Sequence, residues 1–374
     1  MTSIPRNGPI RTVLLGAGVV AGTHIRALKT FDDIEVAAIC DLDEPKARAL
    51  SEPNGIPLTF DNLDAMLENV SPHVVHVLLP PSAHGNTVKR CLEAGCHVLV
   101  EKPFCISAAE CRSVERAAID AGCRIGVNHN LTFMPSFLKL VELIRACRIG
   151  AVQHVRVMYN LSIPGIASGP HTHWMFGGTG NVMLEIGVHP LSVIFRLLGK
   201  VKTASTVVSD ELTLTNGTRF FRTWQSSLIC ERGNAQCVLA LGDTYPNTTI
   251  HVIGQDGEVW VDLARNTVRI SEKNRYWRIR ELVDGGKGAS QLAIQSCRNF
   301  FHYGLAAVGL RPAYDMQNFS VRNSLADFYQ ALRQERAPAV GAPQGTAVVE
   351  ACEMVIDGAM TFLSQSERVH VAAR

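Results

Sequence analysis

With 374 residues, 47% of them hydrophobic and 19% charged, the chain is long enough for two domains and apolar enough to bury a core in each, which excludes a disordered chain. Its 36 basic and 34 acidic residues nearly cancel, so charge makes no case for nucleic acid or a membrane surface as a partner. No apolar run approaches the roughly 20 residues of a membrane-spanning helix; eleven cysteines without a CxxC pair read as reduced thiols of a cytoplasmic protein, not as a disulfide frame or a zinc site.

Met1 to Pro9 is polar and has no apolar run, which predicts no secretory signal. Arg11 to Leu15 reads as a buried strand, followed by glycines and a helix reaching about Thr30. Strands are predicted at Glu35–Cys40, Val74–Leu79, His97–Val100 and Arg124–Asn128. Between them lie helical patterns at Glu44–Leu50, Asn62–Asn69, Ala83–Ala94 and Ala108–Ala121. Strands that are apolar throughout and alternate with helices indicate a parallel, doubly wound α/β sheet, assigned here to residues 1–130.

Beyond Pro135 the pattern changes. A helix (Ser136–Arg145) and a strand (Val152–Tyr159) precede a Gly- and His-rich loop, roughly 163–180, and a helix over Val182–Leu198. From Lys202 to Ile270 short strands alternate with turn signals at Asn216-Gly217, Arg232-Gly233 and Asp256-Gly257, of which Asp-Gly between apolar runs is a hairpin signal. Residues 290–363 read as helical, with breaks at Gly309–Pro312 and Pro338–Pro343. Residues 131–374 are therefore predicted to form an α+β domain on a mainly antiparallel sheet, whose C-terminal helix can pack back on the first domain. Phe300–Leu310 is unusually apolar but too short to span a bilayer, so an oligomer contact or an interior helix is expected there.

The chemistry-bearing residues begin at Gly16-Ala17-Gly18-Val19-Val20-Ala21, a G-x-G-x-x-A run between a strand and a helix. Gly16 permits the sharp turn, Gly18 lets backbone approach a pyrophosphate, and Ala21 permits close helix–strand packing; the helix N-terminus faces the phosphates. This is the Rossmann dinucleotide fingerprint, though a glycine-rich turn without a ligand is the plain alternative. Asp41 ends the second strand 25 residues after Gly16, against an expected spacing of about 20. A carboxylate there binds ribose hydroxyls and repels a 2′-phosphate, which favours NAD over NADP; alternatively Asp41 caps the next helix. Glu101-Lys102-Pro103 comes directly after a strand at the carboxyl edge, where a lysine can move a proton or hold a substrate oxygen. A salt-bridged strand end is the competing reading.

Gly16-x-Gly18 with His24, Asp41, Pro80-Pro-Ser-Ala-His84, Glu101-Lys102-Pro103 and Gly177-Gly-Thr-Gly180 leading to Glu185-Ile-Gly-Val-His189-Pro190 occur in one order. In this the chain resembles the glucose-fructose oxidoreductase, inositol dehydrogenase and rhizopine-catabolism family, Gfo/Idh/MocA, over nearly its whole length. The resemblance implies a Rossmann domain followed by a large open sheet used for homodimer or homotetramer contacts. It implies a catalytic lysine at Lys102 and a histidine at His189, with Glu185 where the family commonly has Asp. The cofactor site it implies comprises Gly16, Ala17, Gly18, Val19, Val20, Asp41, Leu79, Pro80, His84, Glu101, Lys102 and Asn128. Residues four apart share a helix face, so Glu185 and His189 can serve one site. The longer side chain of Glu185 moves the carboxylate by about an ångström, a shift that matters to catalytic geometry. A second departure is Thr132, where the family often has Arg.

His171, His173 and Trp174 precede this helix and are read as substrate contacts beside Lys102, Glu185 and His189, the indole suiting a sugar face. Core packing of Trp174, a helix-turn position for His84 and a metal site at His171, His173 and His189 are the alternatives; no metal is expected. The function implied is NAD-dependent hydride transfer to or from a secondary alcohol or ketone of a sugar, cyclitol or similar polyhydroxylated compound. A cyclic dihydrodiol or hydroxylated carboxylate, or a non-catalytic NAD-sensing regulator, are the rival readings.

Overall fold

The computed structural model describes residues 4, 5, 8–273, 279–308, 310 and 316–372. They fall into two compact units: Met1–Asn130 with Gln317–Val349, and Leu131–Met316 with Glu350–Arg374. A single division at residue 130 misses that residues 317–349 return to the first unit.

The first unit is built on six parallel strands, β1 (Ile10–Leu15), β2 (Ile34–Cys40), β3 (Leu58–Phe60), β4 (Val74–Val77), β5 (His97–Val100) and β6 (Ile125–Val127), in the order β3-β2-β1-β4-β5-β6. Each predicted strand is present; β3, three residues at the sheet edge, is too short for periodicity to show. The strands are joined by helices α1 (Ala21–Leu28), α2 (Glu44–Ser51), α3 (Leu63–Val70), α4 (Pro81–Glu93) and α5 (Ala108–Asp120). Short polar side chains start three of them: Asp43 accepts from Lys46 N, Asn62 from Ala65 N and Ser107 from Glu110 N. The cap of α2 is thus Asp43, which leaves Asp41 to other partners.

Val321, Leu325, Phe328, Tyr329 and Leu332 share a core with Ile10, Leu14, Ile25, Leu28, Ile39 and Leu99. The sheet face beneath this group needs a hole at one position. A Cβ on Gly126 would stand 2.6 Å from Phe328 Cδ2 and 2.8 Å from Leu99 Cδ1. Gly126→Ala is therefore expected to lower stability by about 1–3 kcal/mol, read as a lower urea midpoint. An unchanged midpoint would show that the Phe328 ring yields freely.

The second unit carries α6 (Pro135–Arg145), β7 (Val152–Ser162), α7 (Val188–Leu198), β8 (Val201–Thr213), β9 (Arg219–Cys230), β10 (Gly233–Gly242), β11 (Asn247–Gly254), β12 (Gly257–Asp262), β13 (Thr267–Glu272) and α8 (Arg280–Ala307). Its seven strands run in the order β13-β12-β11-β7-β10-β9-β8, all neighbours antiparallel except β7 and β10. All three turn signals fall between consecutive antiparallel strands. The strands are longer than expected: β8 and β9 have 13 and 12 residues. Helix α9 (Met316–Arg333) lies almost wholly in the first unit, while α10 (Ala342–Ala372) belongs to the first unit up to Val349 and to the second thereafter. The break expected at Gly309–Pro312 lies, except for Leu310, outside the described residues.

Helix α8 corrects one expectation. Its inward seam is polar: Gln291 and Gln295 pair with the backbone of Ile270 and Val268, and the Asn299 amide donates to Arg265 O and Asn266 O. Side-chain amides at four-residue spacing thereby occupy the open edge of β13, which would otherwise template strand pairing. Its apolar residues face out, with Phe300 78% and Phe301 62% exposed, so it is not an interior helix in this chain. Among the described residues no helix is long and apolar enough to cross a membrane.

Candidate active site

Because the first sheet is parallel, one edge collects the residues just past each strand: Gly16 after β1, Asp41 after β2, Leu78 to Pro80 after β4, Glu101 after β5 and Asn128 after β6. The strand order reverses between β1 and β4, the crevice where ligands bind open α/β sheets.

Gly16 has φ +106°, and a Cβ there would stand 2.7 Å from Leu78 O. Only glycine meets both conditions. A Cβ on Gly18 meets nothing within 4 Å, and Val19 is 100% exposed, so the loop offers backbone to open space. Val20 begins α1 without a side-chain cap, so the amides of the first turn face that space with the positive end of the helix dipole. Asp41 Oδ2 accepts from Ala17 N at 2.7 Å and Oδ1 from Asp43 N at 2.9 Å, holding the carboxylate at the rim of the loop beside exposed Leu42. These residues fit a dinucleotide: a backbone cradle for the pyrophosphate and a fixed carboxylate for the ribose.

Glu101 is held by two donors, His24 Nε2 at 2.8 Å and Asn128 Nδ2 at 2.6 Å. Burial works against its charge, but the His24 hydrogen bond, the Asn128 bond and the Lys102 charge outweigh it and bring the carboxyl to about 2. Lys102 N donates to Glu101 Oε2 at 3.3 Å, and the Lys102–Pro103 peptide is cis. His84, fully buried on α4, has one ring nitrogen 2.8 Å from Pro103 O and the other 2.8 Å from Leu79 O. It ties the lysine loop to the end of β4. Asn128 Oδ1 is a buried acceptor without a hydrogen-bond partner in the described structure, open to an amide such as that of nicotinamide.

In the second unit, the expected helix over Val182–Leu198 is helical throughout but widens in its first turns. Met183–Gly187 forms a π turn, and α7 starts only at Val188. Glu185 lies in the wide turn and His189 in the α-helix, so they are not related by a regular α-helical i,i+4 step. Glu185 Oε2 accepts from the Trp174 indole N–H at 2.7 Å, and Asn181 Nδ2 donates to Trp174 O at 2.9 Å. Trp174 is thus bound to Glu185. The His189 ring stacks on Tyr159, with centroids 5.8 Å apart and planes at 29°. Burial raises the Tyr159 hydroxyl to about 12, so it stays a neutral donor.

His171 and His173 are occupied by local structure. The His171 ring nitrogens contact Thr215 Oγ1 at 2.9 Å and Ile166 O at 2.8 Å, and His173 Nδ1 accepts from Met175 N at 3.3 Å. Among the described residues no group of three or more His, Cys, Asp or Glu is placed to hold a metal ion. Sequence reasoning missed Tyr159, His76, His129 and Tyr329. All are aromatic or imidazole residues inside apolar patterns, where nothing local separates them from core; His129, beside Asn128, was the most findable.

A parallel sheet in this order, with a glycine cradle after the first strand and a carboxylate after the second, is the arrangement of the dinucleotide-binding Rossmann domains. Residues 10–129 match the family model GFO_IDH_MocA, described as an oxidoreductase family with an NAD-binding Rossmann fold. D-glucoside 3-dehydrogenase of Escherichia coli (strain K12) is 31% identical over 202 residues, 53% of this chain and 57% of that protein. Inositol 2-dehydrogenase 2 of Paenarthrobacter aurescens (strain TC1) is 30% identical over 197 residues, 52% of this chain and 57% of that protein. The chain thus spans little more than half the length of these curated relatives. Among solved structures, the WlbA dehydrogenase of Bordetella pertussis, in complex with NADH and UDP-GlcNAcA, superposes with a TM-score of 0.74 at 19% identity over 95% of this chain and 96% of that one. Over residues 10–129 the chain is similar to the Gfo/Idh/MocA family of oxidoreductases.

Proposed function

We propose that the protein is an NAD-dependent dehydrogenase or reductase acting on a secondary alcohol or ketone of a sugar, cyclitol or related polyhydroxylated compound. The observation that carries this reading is the gathering of the Gly16–Gly18 cradle, Asp41 and Glu101-Lys102 on one edge of one sheet. The two relatives named above support the substrate class. When bound, the nicotinamide supplies the hydride acceptor or donor. Lys102 polarises the reacting oxygen and shares the proton relay with His189, which, steadied by its stack on Tyr159, takes or returns the hydroxyl proton. Glu185, steadied by the Trp174 N–H, contacts the substrate and tunes these groups. His171 and His173 shape the loop that carries Trp174, so their contact with substrate is secondary to that role.

Eleven free cysteines, nine of them buried, support a reducing compartment such as the cytoplasm. Met158, Val207, Ile229 and Trp260, exposed on the second sheet, support self-association as a homodimer or homotetramer.

The test is a fluorescence titration with NADH and NADPH. NADH is expected to bind more tightly, and Asp41→Ala to weaken it by about tenfold, the worth of one or two hydrogen bonds. A preference for NADPH would overturn the Asp41 assignment. A panel of sugars, inositols, diols and hydroxy acids then reads the substrate class.

A further inference from the structure

Behind Glu101 runs a line of buried polar side chains that the proposed chemistry does not use. His24 Nδ1 lies 2.9 Å from His76 Nδ1, His76 Nε2 lies 2.9 Å from Tyr329 Oη, and Tyr329 Oη lies 2.8 Å from Thr12 Oγ1. His24, His76, Tyr329 and Thr12 are all at most 4% exposed and are supplied by α1, β4, α9 and β1. Buried polar groups of this kind must be paired or they cost stability, and here the pairing is fixed from one end. Glu101, held ionised, can only accept, so His24 Nε2 donates to it. Burial presses the His76 pKa well below 6.5, so His76 carries a single N–H.

A neutral His24 that donates from Nε2 accepts at Nδ1, whereas the opposite direction needs His24 protonated on both nitrogens. If His76 Nδ1 donates to His24, its Nε2 accepts from the Tyr329 hydroxyl, whose oxygen accepts from Thr12 at 2.8 Å. In the opposite direction Thr12 must give its proton to Ile10 O at 3.4 Å, beyond the usual O–H···O range. The first direction satisfies every group at normal length. The other charged or titratable groups nearby are Lys102 and His129 beside Glu101, and Asp33, which acts on Tyr329.

We propose that Thr12, Tyr329 and His76 form a donor chain that fixes the tautomer of His24, making His24 the positioning residue that orients Glu101 next to Lys102. The role is that of an outer partner that holds a working group in place. It rests on the proposed function of Lys102, but its first test needs no turnover. Nitrogen NMR of histidine-labelled protein near pH 7.5, assigned with His24→Gln and His76→Gln, should show the Nε2–H tautomer at His24 and the Nδ1–H tautomer at His76. The opposite tautomers would overturn the chain whether or not Lys102 is catalytic. Tyr329→Phe keeps the ring but removes the donor. It should change the His76 signals, lower kcat by about 10- to 100-fold through misplacement of Glu101, shift the pH–rate profile and leave NADH affinity unchanged. An unaltered His76 spectrum with an unaltered pH profile would reduce the chain to core packing.

Discussion

Lys102→Ala is expected to lower turnover by about 10²–10⁴-fold, the range for removing a positioned proton-transfer group, while NADH still binds. The two effects separate because the lysine and the cradle are built from different strands. Gly16 and Gly18 come after β1, and Asp41 after β2, whereas Lys102 comes after β5 and is set by the Glu101 carboxylate and by the loop that His84 anchors. Lys102→Arg should fail nearly as badly, because a guanidinium stays charged and cannot exchange the proton. Steady-state kinetics on the substrate found by the panel, paired with NADH titration, provide the readout. Full turnover in Lys102→Ala would show that the lysine is a strand-end ion and that the chemistry sits elsewhere.

The second large effect is on stability. His97 and His129 are buried, and burial chiefly brings each from 6.5 to about 4; Arg124 adds to this at His97, and at His129 the Glu101 charge partly opposes it while Lys102 adds. The unfolded chain therefore binds more protons between pH 6.5 and 4, and stability is lost as pH falls through that window. Each histidine is worth about 3 kcal/mol over its span. Glu101 acts lower down: its folded value of about 2 lies below the ordinary 4.5, so its contribution is complete above pH 4.5 and lost as pH falls towards 2. The urea midpoint should thus drop steeply between pH 7 and pH 4. His97→Asn keeps an acceptor for Arg124 N, which His97 Nδ1 supplies at 2.9 Å, and should flatten the fall. A midpoint unchanged from pH 7 to pH 4.5 would show that these imidazoles are solvated.

Some features needed no structure. The strands β1, β2, β4, β5 and β6 were legible because a strand covered on both faces is apolar throughout, a local property of a few consecutive residues. The G-x-G-x-x-A turn was legible because its demands, a positive φ at Gly16 and room at Gly18, are met within one loop. Parallel order then placed Asp41, Glu101 and Asn128 on one edge without any side-chain detail.

Other features were decided only by tertiary contacts. Nothing near Asp43 says that it caps α2 and so leaves Asp41 to Ala17 N. Nothing in the 182–198 pattern reveals the π turn that puts Glu185 out of α-helical register with His189. The apolar run at Phe300 left an oligomer contact or an interior helix open, and the edge of β13 drew the glutamines of α8 inward and left the phenylalanines outside. His24, His76 and Tyr329 become one chain only when residues as far apart as His76 and Tyr329, separated by 253 positions, are packed together. Periodicity and turn chemistry are written over a few neighbouring residues, so the sequence by itself determined the class of fold and the loop proposed for the dinucleotide. Hydrogen-bond partners are chosen among residues far apart in the chain, so only the tertiary structure decided which polar groups hold Glu101, Glu185 and His189 in place.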